Sequence, residues 1–125
     1  MKRIVTVISF ALLAGCSAMS DLSDETKGMS AEEMYLEAKN EMEGGNLTRA
    51  IQMFEKLEAR YPYGRYAQQA QLEIAYAHYK DGDPALALAA CDRFIKMHPT
   101  HENVDYAYYL KGLVNFIDDA GFMSF

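Results

Sequence analysis

The chain has 125 residues, half of them hydrophobic, and its 18 acidic residues outnumber 12 basic ones, which gives a formal net charge of −6. This balance argues against a nucleic-acid partner, because phosphate binding requires clustered Lys and Arg. Two cysteines are too few for a disulfide framework, and the length suffices for one domain stabilised by its own core.

The chain begins with the features of an export signal. Lys2 and Arg3 precede a predominantly apolar run over residues 4–14. Because a membrane-spanning helix needs about 20 apolar residues, this shorter run predicts a signal peptide over residues 1–15 that is removed after export.

A cysteine follows the apolar run in a sequence that resembles a lipobox, Leu13-Ala14-Gly15-Cys16. The small residues Ala14 and Gly15 let an extended backbone enter a narrow protease site, and the Cys16 thiol accepts a lipid. We expect lipid chains such as palmitate on Cys16 to give stable anchoring. By the same resemblance, Ser17 implies release to the periplasmic face of the outer membrane. The alternative is an ordinary secreted protein whose signal ends near a cysteine.

Residues 16–29 are polar and have neither a helical nor a strand period. We therefore expect them to form a flexible, lipidated tether. The folded domain is predicted to occupy residues 30–125.

The predicted domain repeats itself at an offset of 37 residues. Each unit contains two segments of helical period, separated by Gly-Asn or Gly-Asp, and a proline ends the second segment. Glycine permits the left-handed conformation that ends a helix, and Asn or Asp can cap the next one. The aligned pairs are Tyr35 with Leu72, Ala38 with Ala75, Gly45 with Gly82, Asn46 with Asp83, Ala50 with Ala87, Phe54 with Cys91 and Pro62 with Pro99.

The same offset places Tyr109, Gly112 and Phe116 in a third unit, and the sequence given stops at Phe125. The pattern predicts an all-α solenoid of stacked antiparallel helix hairpins, with two complete repeats and the first helix of a third. We expect the apolar end Gly121–Phe125 to favour self-association.

These units resemble the tetratricopeptide repeat, which is about 34 residues long and has a small residue early, glycine at the turn, then alanine and a closing proline. Glu37 and Glu41 depart from the apolar residues usual at their positions. The second unit matches well, at Ala70, Leu72, Ile74, Ala75, Tyr79, Gly82, Asp83, Ala87, Phe94 and Pro99.

The lipobox, the short tether, the long repeats and the segments 60–66 and 92–101 together resemble the BamD (ComL) family of lipoproteins. That resemblance implies a non-catalytic scaffold of the β-barrel assembly machinery in Gram-negative bacteria. The implied partners are other assembly subunits and unfolded outer-membrane proteins. Members of that family are longer, and their later repeats make most contacts with the barrel subunit. The alternative function is a periplasmic tetratricopeptide lipoprotein that serves cell-wall or division complexes.

In a tetratricopeptide stack the first helices line a groove in which a polypeptide can bind. Tyrosine suits such a site because it offers apolar area and a hydroxyl at low entropic cost. An equally supported alternative is that several of these side chains pack between helices, with Tyr79 and Phe116 in the core and Tyr76 and Tyr106 on the open side. The predicted groove residues are Tyr35, Leu72, Tyr76, Tyr79, Tyr106, Tyr109 and Phe116.

Other reactive residues do not form a recognisable catalytic or metal-binding motif. His98 and His101 flank Pro99 in a predicted loop, so no helix holds them on one face as ligands. Cys91 occupies a position where a small apolar filler is expected. We predict no enzymatic activity, no metal, no small-molecule substrate and no cofactor apart from the covalent lipid on Cys16.

Overall fold

A computed structural model describes residues 25–122, with side chains through residue 117. Several predicted features lie outside the described residues. They are the signal peptide, Cys16, the tether as far as residue 24 and most of the apolar end Gly121–Phe125. Within it the chain is all-helical, which confirms the predicted fold class. The helices are α1 (Ala31–Glu43), α2 (Leu47–Arg60), α3 (Arg65–Asp81), α4 (Pro84–Met97) and α5 (Val104–Phe122).

The ends of the first hairpin follow from its sequence, with one difference. Ser30 and Glu33 form a capping box at the start of α1, in which each side chain bonds the other residue's backbone N–H. Gly45 takes the predicted left-handed conformation, with φ of +85°. Asn46, however, makes no side-chain cap for α2, because its amide donates to Glu41 at 2.7 Å instead.

The second hairpin follows the predicted pattern at its turn. Gly82 ends α3 with φ of +78°. Asp83 caps α4 by accepting a hydrogen bond from the Leu86 N–H at 3.0 Å, and Pro84 occupies the first turn of the helix.

Consecutive helices pack as antiparallel neighbours, and the first helices α1, α3 and α5 also contact one another in that order. Small residues at the helix contacts permit this close approach, as the repeat alignment predicted. Ala38, Ala50, Ala75 and Ala87 are all completely buried. Larger side chains fill the space around them, among them Met34, Phe54, Leu57 and Phe94.

Helix α5 differs from α1 and α3, and the alternative interpretation that placed Phe116 in the core is wrong. Ala107, Leu110 and Val114 pack against the core, whereas Phe116 is 71% exposed and Gly112 is also exposed. In α3, the side of the helix that corresponds to Gly112 and Phe116 faces α4. Among the described residues no helix covers that side of α5.

The start of the domain also differs from expectation, because residues 25–29 are not a free tether. Thr26 is 2% exposed, and its backbone carbonyl accepts a hydrogen bond from Arg60. The Tyr61 hydroxyl donates to the Met29 carbonyl at 2.7 Å, and Glu25 pairs with Arg49. These residues form a strap along the first hairpin, so the described fold begins before residue 30.

None of the described helices combines the length and the apolar character needed to cross a bilayer.

Candidate polypeptide-binding groove

The first helices line an open cavity of about 560 Å³, which we call the first-helix groove. Helix α1 contributes to one wall of the groove, and α3 forms its floor. Asn103 and the first turn of α5 form the other wall. A volume of this size lies within the range of sites that hold ligands of a few residues. The lining residues are Lys39, Gln69, Leu72, Glu73, Tyr76, Asn103 and Tyr106.

Glu73 is the most tightly held group of the groove. Its side chain is 12% exposed, and both carboxylate oxygens lie 3.3 Å from the Lys39 ammonium. The Tyr35 hydroxyl donates to the same carboxylate at 2.8 Å. Charge pairing of this kind offsets the cost of placing a carboxylate in a partly buried site. Helices α1 and α3 are therefore joined at the edge of the groove.

Two tyrosines, Tyr35 beside the groove and Tyr106 in its lining, have hydroxyl groups whose pKa is raised. Burial, together with the hydrogen bond to Glu73, raises the pKa of Tyr35 far above its usual value. Burial also raises the pKa of Tyr106, and the nearby Glu73 carboxylate adds to that effect. The neutral Tyr106 hydroxyl can both donate and accept, so it can bond either polar group of a peptide backbone.

Tyr76 and Tyr106 give the groove its aromatic character. Tyr76 is partly buried, and its ring lies 6.2 Å from that of Tyr79. Tyr106 is 38% exposed, and its ring lies 6.3 Å from that of Tyr109. Both rings thus have packed neighbours that limit their motion and a surface that reaches the cavity.

The structure brings three of the seven predicted groove residues to this cavity, namely Leu72, Tyr76 and Tyr106. Leu72 is 2% exposed and contributes to the floor. Tyr79 is partly buried and packs against the core.

Tyr35, Tyr109 and Phe116 lie elsewhere. The Tyr35 ring packs against Phe54 and Tyr66, at centroid distances of 5.7 and 5.5 Å, and only its hydroxyl reaches Glu73. Tyr109 is 63% exposed and lies with Phe116 on the end of the stack, outside the cavity lining.

Sequence reasoning missed the polar part of the groove, which comprises Gln69, Glu73 and Asn103. Gln69, Glu73 and Tyr76 follow one another at helical spacing on one side of α3, and this pattern could have identified them. Aromatic residues alone do not mark this polar part of the groove.

Among residues 25–117 no group of three or more potential metal ligands lies together. The His98 and His101 rings are 6.2 Å apart, and each lies 5.2 Å from the Phe94 ring. The His101 Nδ1 accepts a hydrogen bond from the Asn103 N–H at 3.0 Å. This histidine pair packs the loop between α4 and α5 against the core.

Cys91 is fully buried and carries a free thiol. Burial, followed by the neighbouring Asp92 charge, raises the pKa of Cys91 to about 11. A reactive cysteine requires the opposite shift, so this thiol serves as a packing group.

The family model of the tetratricopeptide repeat matches residues 23–125, which agrees with a fold that begins before residue 30. Relatives include the outer membrane protein assembly factor BamD of Neisseria meningitidis serogroup B, which is 44% identical over 99% of this chain and 48% of the relative. The same factor of Vibrio cholerae is 38% identical over 94% of this chain and 47% of the relative. The chain thus spans about half the length of these curated relatives, and the resemblance to the BamD family is confirmed over that part.

Proposed function

The chain belongs to the tetratricopeptide repeat family, and we propose that it is a non-catalytic scaffold that binds polypeptides during β-barrel assembly in the outer membrane. The relatives carry the name outer membrane protein assembly factor, which supports this process over others. The observation that carries the binding role is the first-helix groove, in which Tyr76 and Tyr106 lie beside the amides of Gln69 and Asn103.

The proposed ligand is an extended segment of an unfolded outer-membrane protein. Barrel strands alternate apolar and polar side chains and carry aromatic residues near their ends. Aromatic side chains of such a segment would contact Tyr76 and Tyr106, while the amides would bond its exposed backbone. An extended chain has no internal hydrogen bonds to lose, so these bonds favour it over a helix.

We further propose that Cys16 carries lipid and holds the domain at the periplasmic face of the outer membrane. Eight residues, 17–24, separate Cys16 from Glu25, where the strap begins. If they act as the flexible tether that we propose, they would span on average about 14–17 Å, which keeps the first hairpin close to the lipid surface. Cys16→Ser should abolish labelling by radioactive palmitate and move the protein to the soluble fraction. Unchanged membrane association would contradict the anchor.

Peptide titration tests the groove. The chain in mild detergent is titrated with a labelled peptide that copies an aromatic-ended barrel strand, and fluorescence anisotropy is measured. Tyr76→Ala and Tyr106→Ala should each weaken binding about 30-fold, as expected for anchors worth about 2 kcal/mol or more. Tyr63→Ala is the control, because Tyr63 is 93% exposed in the loop between the hairpins. A failure to saturate, or equal binding by all four proteins, would overturn the groove assignment.

Co-purification distinguishes a role in β-barrel assembly from a role in cell-wall complexes. The tagged full chain is recovered from detergent-solubilised outer membranes and probed with antibodies against barrel-assembly subunits and against peptidoglycan enzymes. Our proposal requires enrichment of the assembly subunits. Recovery of peptidoglycan enzymes alone would favour a cell-wall adaptor and contradict it.

A further inference from the structure

The loop between α4 and α5 is organised around one residue, His101. Its backbone N–H donates to the His98 carbonyl at 3.1 Å, and its carbonyl accepts from the N–H of Val104, the first residue of α5, at 3.0 Å. The ring adds a third contact, because its Nδ1 accepts a hydrogen bond from the Asn103 N–H at 3.0 Å. The place at which α5 begins is therefore fixed by hydrogen bonds to His101.

The preceding loop shows that the third contact is a property of this side chain. The equivalent residue there is Gly64, which has φ of +117° and offers no side-chain acceptor. Helix α3 begins directly after Gly64, at Arg65, whereas α5 begins three residues after His101. A side chain that accepts from the N–H two residues later forms an Asx-type turn, for which Asn and Asp are the usual residues. In the second loop a histidine takes that role.

The residue held by the His101 ring belongs to the first-helix groove. Asn103 lines the groove, and Tyr106 lies three residues later on the same wall. The His101 ring itself is outside the cavity lining and packs edge-on against the buried Phe94 ring, at a centroid distance of 5.2 Å. His101 can therefore affect a bound peptide only through Asn103 and the first turn of α5.

We propose that His101 is a positioning residue of the first-helix groove, and that its protonation releases the wall formed by Asn103 and Tyr106. The inference rests on the proposed function, because it concerns how the same groove holds a peptide. Nδ1 of a neutral ring can accept the Asn103 N–H, whereas both nitrogens of a protonated ring are donors. Two donors would then face each other, and the hydrogen bond would be lost. Histidine is the side chain whose charge ordinarily changes between about pH 5 and 8.

The side chains packed around the His101 ring from the neighbouring helices are uncharged. Phe94 of α4 clusters with Leu72 of α3 and Ala107 of α5. The other titratable ring at this place is that of His98, whose centroid lies 6.2 Å from that of His101. In the described part of the chain neither histidine forms an ion pair. The charged residues beside the loop in sequence are all exposed, namely Lys96, Glu102 and Asp105.

The expected consequence is a groove that holds a peptide at neutral pH and releases it as pH falls. While His101 is neutral, Asn103 and the first turn of α5 are already in place, so binding does not have to order them. Once His101 is protonated, each binding event must order this wall again. Affinity should therefore fall in acid because of a residue that lies outside the cavity lining.

Peptide binding as a function of pH tests the proposal with the full chain. The labelled peptide has blocked ends and no Asp, Glu or His, and anisotropy is measured from about pH 8 to about pH 5.5, above the ordinary range of carboxylates. The parent should bind about fivefold more weakly at the acid end, as expected for the loss of one hydrogen bond. His101→Asn supplies an acceptor that does not titrate, so it should bind like the parent at about pH 8 and keep that affinity in acid. His101→Leu has no acceptor and should bind weakly throughout.

His98→Phe is the matched control, because it keeps a ring beside Phe94 and removes the other histidine of the loop. This variant should show the same fall in affinity as the parent, and far-UV circular dichroism verifies that each variant is folded. A parent whose affinity does not change with pH would overturn the proposal. So would a His101→Asn protein that loses affinity in acid as the parent does, since another group would then be responsible.

A second measurement requires neither a peptide nor a variant. In the isotope-labelled parent, the Asn103 amide proton should move upfield as its hydrogen bond is lost, with the same midpoint as the His101 ring in nuclear magnetic resonance spectra. An Asn103 amide that stays in place while the ring titrates would overturn the proposal. A complete lack of peptide binding at about pH 8 would instead contradict the proposed function, so the two failures are distinguishable.

Discussion

The hydroxyl of Tyr35 donates a hydrogen bond to Oε1 of Glu73 at 2.8 Å and so joins the first helices of successive hairpins. The two residues are 38 positions apart in the chain. Lys39 approaches the same carboxylate from α1. This three-residue contact sets the separation of α1 and α3, and with it the width of the first-helix groove at that edge.

Removal of the Tyr35 hydroxyl should destabilise the domain. Hydrogen bonds to charged groups contribute about 1.5–3 kcal/mol. Because Lys39 remains paired with Glu73, we expect Tyr35→Phe to lower the free energy of unfolding by about 1–2 kcal/mol, measured by urea denaturation. Tyr63→Phe, which removes a hydroxyl from an exposed ring, should change nothing measurable. A Tyr35→Phe protein as stable as the parent would mean that α1 and α3 are held by apolar packing alone.

Substitution by alanine should destabilise the domain at Gly82 but not at Gly44, although both glycines lie in hairpin turns. Gly82 has φ of +78°, which L-residues adopt only with strain, so Gly82→Ala should cost about 1 kcal/mol. Gly44 has φ of −71°, and an added Cβ would make ordinary contacts from 3.4 Å outward. Gly44→Ala should therefore be neutral or slightly stabilising. Thermal unfolding of both variants measures the difference in stability. An equal loss of stability in the two variants would contradict the left-handed conformation of Gly82.

Stability should fall in acid because of the capping box. The Ser30 backbone N–H, with its hydroxyl, lowers the pKa of Glu33 below its ordinary value of 4.5. A carboxyl with a lowered folded-state pKa contributes stability above the unfolded value and loses it as pH falls through the folded value. The stability gap between the parent and Glu33→Gln should thus be constant above about pH 5 and narrow below pH 4.5. Chemical denaturation across that range measures it, and a gap that does not vary with pH would contradict the prediction.

Cys91 should react only when the domain opens. Its thiol is fully buried, and burial raises its pKa to about 11, so at pH 7.5 it is both inaccessible and protonated. We expect iodoacetamide to label Cys91 slowly in the native protein and to label it faster in step with the loss of helical circular dichroism in urea. Rapid labelling without urea would show that α4 is not packed as described.

Much of the fold could be predicted because its determinants are side chains at regular spacing. Ala38, Ala50, Ala75 and Ala87 recur at the repeat offset, and all four lie at helix contacts. The strap could not be predicted in this way. It is held by the backbone carbonyls of Thr26 and Met29, and a carbonyl acceptor leaves no trace in the residue types.

The groove was predicted only in part because one repeat position has different surroundings in different hairpins. Tyr35 packs its ring against the second helix of its hairpin and lies outside the cavity lining, whereas Leu72, at the equivalent position of α3, is part of that lining. Gln69, Glu73 and Tyr76 lie beside Leu72 on the groove side of α3. Aromatic character alone does not identify this side, since its lining combines apolar and polar residues.

Photo-cross-linking at Tyr106 in the living cell tests most directly whether the first-helix groove holds unfolded barrel proteins. A benzophenone amino acid replaces Tyr106 in one strain and Tyr63, the exposed loop residue, in another. We predict that irradiation links the position-106 protein to newly made outer-membrane proteins before they fold, and that the position-63 protein gives little or no such product. Cross-links of equal yield at both positions, or none from position 106, would contradict a polypeptide-binding groove between the first helices.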